Sequence, residues 1–355
     1  MKKLIALLLA LVMVIGLVAC GEKAPAAETP KADAPAAEAP KADAPAADAP
    51  AAAEDDGEFD PAGKKIGYII YSNANESAYM YYAGLEKLCK EAGIEVLSTE
   101  SNGDAEAMMR ACDNFILQGV DAIVDSSWNA GGGAALVQKC NDAGIPLISI
   151  DVFYEGENSY FVGVNNPAVG VVGGEAAAKW AQKKFGDDLD YVVVTYSASL
   201  ESINTRTTAA LEGVRNAGYD IPDENYFELE IGTGDTTQLA KQQMTDWLTA
   251  HPEGTMVSVT GNAEAALGFQ SAIESQNRGD DCIIVSSGYD SPAKAAIGAG
   301  DTVWCAAVDY MGLHYGDTAF PLLLKLLAGE RPEEAFWYVQ TRFVDTDNYA
   351  EIEAE

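Results

Sequence analysis

The chain has 355 residues, with 22 Lys and Arg against 55 Asp and Glu and a formal net charge of −33. That length allows two domains of ordinary size, and that charge opposes nucleic-acid binding and polybasic docking on a membrane surface. Two histidines and six cysteines without C-x-x-C spacing argue against a zinc site or a complete disulfide framework, so neither a metal nor a cofactor is expected.

Lys2 and Lys3 precede an apolar run from Leu4 to Val18. At ~1.5 Å per helical residue the run is too short to span ~30 Å of hydrocarbon comfortably, and residues 1–20 read as an export signal. The tetrad "LVAC" before Gly21 resembles the lipobox of bacterial lipoproteins. That resemblance implies cleavage before Cys20, a diacylglycerol on its thiol, and a place on the outer face of the cytoplasmic membrane held by the lipid alone. Residues 21–62 follow as a tether, in which "APAAETPKAD", "APAAEAPKAD" and "APAADAPAAA" repeat. Proline every five residues forbids a continuous helix and leaves nothing to bury, so a disordered, semi-extended segment is predicted. At ~3.1 Å per residue, thirty such residues reach ~90 Å.

From Lys64 onward, short β-rich apolar runs alternate with helical patterns. Strands are predicted at 66–71, 94–99, 122–124, 146–150 and 160–164, with helices at 79–92, 105–118, 134–143 and 167–185 between or after them. The alternation continues with strands at 191–196, 226–232, 255–260, 282–287 and 303–308 and helices at 203–217, 236–250 and 263–276. Strands apolar throughout and separated by helices mean parallel sheets covered on both faces. There are too many for one sheet, and the break falls at Gly163-Val164-Asn165-Asn166-Pro167. The fold class is therefore α/β, with two doubly wound, Rossmann-like lobes, a hinge near Asn165, Asp309 and residues 336–341, and a ligand cleft between the lobes. Three crossings assign 63–164 and 310–337 to an N-terminal lobe, and 165–309 and 338–355 to a C-terminal lobe.

In such folds ligands bind beyond the carboxyl ends of the strands. Asp151 and Asp290 sit there, as do Asn75, Asn262 and Asp309. Two acids at strand ends suit an acid/base pair, a metal cage or a grip on hydroxyl groups. The enzyme case is thin: His251 and His314 fit helix ends, and no G-x-S-x-G elbow or phosphate loop occurs. "GVVGGEA" at 170–176 falls inside a helix, where close packing of helix on sheet is expected. A binding reading uses the residues better, because a sugar asks for carboxylate acceptors, amides, an Arg fork and aromatic faces. Any one of these Asp or Asn residues has an ordinary explanation as a helix cap or turn residue. Their recurrence at different strand ends favours the site.

From about Lys64 to Val344 the chain resembles the periplasmic sugar-binding family of type I periplasmic binding proteins, which includes ribose and glucose/galactose binders. The segments that carry the resemblance are "ISID", "SINTRTTAALEGV", "MTDWLTAHPEGTMVSVTGNAEAALGFQSAI", "SSGYDSPAKAAI" and "AAVDYMG", in the family's order. It implies ligand contacts from Asp151, Arg206, Asn262, Tyr289, Asp290 and Asp309, with Asn75 from the first loop. Three departures stand out. Ser77 and Ala78 occupy a place where the family carries an aromatic residue, Val152 stands where ribose binders have Arg, and Gly234 stands where relatives place Phe or Trp. A stacking ring is then expected from Tyr79, Phe153, Tyr154 or Trp128. The acidic calcium loop of the glucose/galactose binders is absent from "FGDDLDYVVV". The resemblance implies a non-enzymatic, monomeric solute-binding lipoprotein that takes a neutral sugar and delivers it to an ABC importer. A nucleoside or furanosyl ligand, and a chemoreceptor or sensor kinase as partner, are the alternatives.

Overall fold

A computed structural model describes residues 59–198, 201–232 and 236–354. The export signal, Cys20, the Ala/Pro repeat and Gly234 lie outside the described residues.

Among the described residues the strands form two six-stranded sheets. The first is built from β1 (Lys65–Ile70), β2 (Glu95–Glu100), β3 (Ala122–Ser126), β4 (Leu147–Ile150), β5 (Ser159–Gly163) and β11 (Phe336–Tyr338), in the order β11-β5-β4-β3-β1-β2. The second contains β6 (Tyr191–Tyr196), β7 (Tyr226–Glu230), β8 (Met256–Thr260), β9 (Cys282–Ser287), β10 (Trp304–Asp309) and β12 (Arg342–Asp345), in the order β12-β10-β9-β8-β6-β7. All pairings are parallel except that of β10 with β12. The five consecutive strands of each half thus share one order, 2-1-3-4-5, whose switch point lies between the first and third strands.

The central strands are buried end to end, as in "AIVDS" of β3 and "CIIVSS" of β9. Helices cover both faces of such a sheet, so these strands begin as unbroken apolar runs rather than alternating, with polar residues only toward their carboxyl ends. The covering helices are α1 (Glu76–Glu91), α2 (Ala105–Leu117), α3 (Ala130–Asp142) and α10 (Tyr315–Leu327) on the first sheet. On the second they are α4 (Asn166–Phe185), α5 (Glu201–Thr208), α6 (Ala210–Asn216), α7 (Thr236–Ala250), α8 (Ala263–Ser275) and α9 (Ser291–Gly298), with the short α11 (Tyr349–Ile352) at the end. The sequence reading has one helix over 203–217, but a break at Ala209 divides it.

The Gly-rich stretch of α4 packs mainly on helices rather than on the sheet. A Cβ at Gly174 would stand 2.1 Å from the Ala210 carbonyl oxygen, and one at Gly170 2.4 Å from that of Thr205. Only Gly173 faces a strand residue, Val259. These glycines let α4 lie directly against the backbones of α5 and α6, which sets the position of Arg206.

The chain passes from the first sheet to the second between Gly163 and Asn166, returns after Asp309, and crosses again between Tyr338 and Arg342. Asp309 ties two of these crossings together. Its Oδ1 accepts from the Met311 N–H at 2.8 Å and its Oδ2 from Arg342 Nε at 2.8 Å, while Met311 takes a left-handed φ of 51°. Cys89, Cys112, Cys140, Cys282 and Cys305 are free and buried. No helix among the described residues is long and apolar enough to cross a membrane.

Candidate functional site

A cavity of about 140 Å³ opens beyond the carboxyl ends of the strands of both sheets. About 150 Å³ accommodates one benzene ring, so the space suits a single six-membered ring. From the first sheet's side come Asn75, Ser77 and Tyr81 around the start of α1, Trp128 after β3, and Asp151 and Val152 after β4. From the second come Arg206 on α5, Gly261, Asn262 and Glu264 after β8, and Ser287, Gly288 and Asp290 after β9. Tyr310, at the crossing after β10, completes the wall.

Two asparagines serve as caps and wall at once. Asn75 Oδ1 accepts from the Ala78 N–H at 3.0 Å and Asn262 Oδ1 from the Ala265 N–H at 2.8 Å, closing the N-termini of α1 and α8. The cap uses the carbonyl oxygen and leaves each Nδ2 amide as a donor. Capping and lining are therefore not competing explanations for either residue.

Arg206 is 7% exposed. Its Nε donates to Asn166 Oδ1 at 3.0 Å, and its guanidinium lies 5.3 Å from the Tyr310 ring centre. Burial works against its charge, but the fields of Tyr310 and Asp151 outweigh that and hold the group above its ordinary value. Asp151 takes a left-handed φ of 63° and accepts from the Tyr315 hydroxyl at 2.8 Å. Burial raises its carboxyl above the usual range, against the opposing pull of Arg206 and Tyr315. Asp290 accepts from Ser77 Oγ at 2.9 Å. Its carboxyl is pushed up to about 6, first by burial and then by Glu264, with Ser77 opposing and Glu76 and Asp309 adding.

Four buried polar atoms of the wall lack a hydrogen-bond partner: Trp128 Nε1, Arg206 Nη2, Ser287 Oγ and the Tyr310 hydroxyl. Leaving such a group unsatisfied costs ~1–3 kcal/mol. Their gathering around one cavity marks it as a place built for a polar solute. Among the described residues there is no cluster of three or more His, Cys, Asp or Glu that could hold a metal ion.

The structure brings Asn75, Asp151, Arg206, Asn262, Asp290 and Trp128 of the sequence-derived set to this cavity. The others go elsewhere. Gly288 turns with φ 101° and sends Tyr289 into the core, where it is 4% exposed and its hydroxyl donates to Glu353 Oε1 at 3.0 Å. Asp309 is committed to the crossing described above. Tyr79 is 50% exposed on α1. Phe153 packs 4.6 Å from Phe336 and 6.4 Å from Phe161, and Tyr154 is buried with its hydroxyl 2.8 Å from Asp125 Oδ2. Trp128 is the one expected ring that lines the cavity, braced by Tyr71 at 5.1 Å and by the edge of Tyr81 at 6.3 Å. Sequence reasoning did not select Ser77, Tyr81, Val152, Glu264, Ser287 or Tyr310. Tyr310 adjoins Asp309, Val152 adjoins Asp151 and Ser77 lies two residues after Asn75, so spacing from the selected residues was the available signal.

The family model for the periplasmic binding protein domain matches residues 66–331. The chain belongs to that family. Its members are solute-binding proteins rather than enzymes. This periplasmic binding protein is 26% identical over 284 residues to the D-ribose/D-allose-binding protein of Pseudomonas aeruginosa, across 77% of this chain and 85% of that protein. It is 27% identical over 238 residues to the ribose import binding protein of Bacillus subtilis, across 65% of this chain and 72% of that one. Among solved structures, an ABC-transporter solute-binding protein from Bacillus halodurans with bound myo-inositol shares the fold. The TM-score is 0.67 at 23% identity, over 84% of this chain and 99% of that chain.

Proposed function

We propose that this binding protein captures a sugar or sugar-like polyol of monosaccharide size between its two lobes and delivers it to an ABC importer. The observation that carries the reading is the cavity wall itself, with Asp151 from one lobe and Arg206, Asn262 and Asp290 from the other. A ring with several hydroxyls can engage both halves only when they approach. Binding is thereby coupled to closure about the three crossings, and closure is what an importer senses. Relatives whose names specify ribose or allose support the solute class. Lipid attachment at Cys20, and a site of action on the outer face of the cytoplasmic membrane, complete the proposal.

A thermal-shift screen against monosaccharides, nucleosides and polyols tests it. A solute at 100 times its dissociation constant adds ~2.7 kcal/mol, which a melting curve resolves. The expected result is a shift with a sugar or cyclic polyol and recovery of that solute unchanged. No shift with any sugar or polyol, or chemical conversion of one, overturns the reading.

A further inference from the structure

The cavity wall carries three carboxylates, Asp151, Glu264 and Asp290, against the single guanidinium of Arg206. Arg206 lies in the field of Asp151 and is further held by Asn166 and Tyr310. Glu264 and Asp290 form no ion pair with any described residue. The lysine next along the chain, Lys294, is engaged elsewhere, 3.5 Å from Glu353 Oε1 and 5.1 Å from the Tyr289 ring centre. The cavity wall therefore holds two mutually repelling carboxylates that form no ion pair among the described residues.

Asp290 occupies the N-cap position of α9, where a carboxylate ordinarily accepts from the first turn. Its side chain makes no such bond. Glu76 Oε2 takes the Ser291 N–H instead, at 3.1 Å, and the Asp290 carboxylate turns to Ser77 and the cavity. Helix N-termini contribute about half a positive charge each, and α1, α8 and α9 all begin here. Those partial charges lie beside Glu264, in the first turn of α8, and Asp290, at the N-cap of α9, and offset them only in part; neither carboxylate gains a full cationic partner. Trp128 and Tyr81 line the same space, and aromatic faces attract a cation.

We infer, on the basis of the sugar-binding reading, that the solute is an amino-substituted sugar or cyclic polyol whose ammonium group lies between Asp290 and Glu264. A neutral hydroxyl can donate to either carboxylate, but it leaves their mutual repulsion in a partly desolvated space unrelieved. An ammonium supplies three donors and the missing charge, and charge-assisted bonds are about twice as strong as neutral ones. The groups around Asp290 are Ser77, Glu76 and Tyr81 from α1, Glu264 from α8, Asp309 from β10 and Tyr310 just after it. Protonation of Asp290 removes one of the two attracting charges, so preference for the amine falls as pH drops below about 6.

The test is isothermal titration of the wild-type protein with matched pairs: 2-amino-2-deoxyhexoses and aminodeoxyinositols, each beside its hydroxyl parent and its N-acetyl derivative. At pH 7.5 the expected result is at least tenfold tighter binding of one free amine than of its parent and its N-acetyl form. That gap should shrink to less than threefold in Glu264→Gln, with the variant's melting temperature confirming the fold. A parent bound as tightly as its amine overturns this inference and leaves the proposed function standing. A gap undiminished in Glu264→Gln overturns the assigned position, and binding by neither amines nor parents overturns both readings.

Discussion

Ser77 Oγ donates to Asp290 Oδ1 at 2.9 Å, joining the start of α1 in one lobe to the start of α9 in the other. Beside it the Ser291 N–H meets Glu76 Oε2 at 3.1 Å. The two bonds span the cleft next to the cavity, so this arrangement of the lobes has its own polar latch. A solute that joins the same residues adds to contacts already made.

Removing the latch donor isolates its contribution. A hydrogen bond to a charged group contributes ~1.5–3 kcal/mol, and part of that exists only when the lobes meet. Ser77→Ala is expected to weaken solute affinity about tenfold, or ~1.4 kcal/mol. Unliganded stability should stay within about 0.5 kcal/mol, as for other sites near the surface. Titration calorimetry and thermal denaturation measure the two effects separately.

Arg206 tests the cavity's cation. Its Nε is held by Asn166 while Nη2 is unpartnered, a division that a single ammonium cannot reproduce. Arg206→Lys is therefore expected to lose at least about 30-fold in affinity while circular dichroism stays native. Full affinity in this variant would mean that the guanidinium fork does not touch the solute.

Tyr289 gives the contrasting case. Its hydroxyl bonds Glu353 outside the cavity wall, so Tyr289→Phe should leave affinity unchanged within about twofold and cost roughly 1 kcal/mol of stability. A tenfold loss of affinity would restore the ring to the site.

How much of this was legible in the sequence depends on direction. Strand ends were readable because runs such as "CIIVSS" are apolar on both faces and stop at a glycine or acid, and this located Asp151, Asn262 and Asp290. Side-chain direction was not. Whether Tyr289 faces solute or core is decided by the positive φ of Gly288. Whether Asp309 faces solute is decided by Arg342, 33 residues further on. The short β11 and α9 carry too few residues to display a period, and the start of α1 at Glu76 was hidden by its polar first turn.

Buried Asp125 makes a pH prediction independent of any solute. It is 1% exposed, and burial pushes its carboxyl up to about 6 despite hydrogen bonds from Tyr154 and Ser127. The folded value exceeds the ~3.9 of an unfolded Asp, so between the two the folded chain holds more protons and stability rises as pH falls. From pH 7.5 to 4.5 this group alone should add about 2 kcal/mol. Urea denaturation at both values should show that gain in the wild type relative to Asp125→Asn. Equal pH dependence in the two proteins would contradict the raised carboxyl.

The central claim is that one solute is held by both lobes at once. Hydrogen–deuterium exchange, with and without the solute returned by the screen, tests it most directly. The expected result is new protection on both sides of the cavity, at 75–81 and 150–152 in one lobe and at 204–207, 261–265 and 287–291 in the other. Protection confined to one lobe, or absent from these segments while binding is saturated, would contradict it.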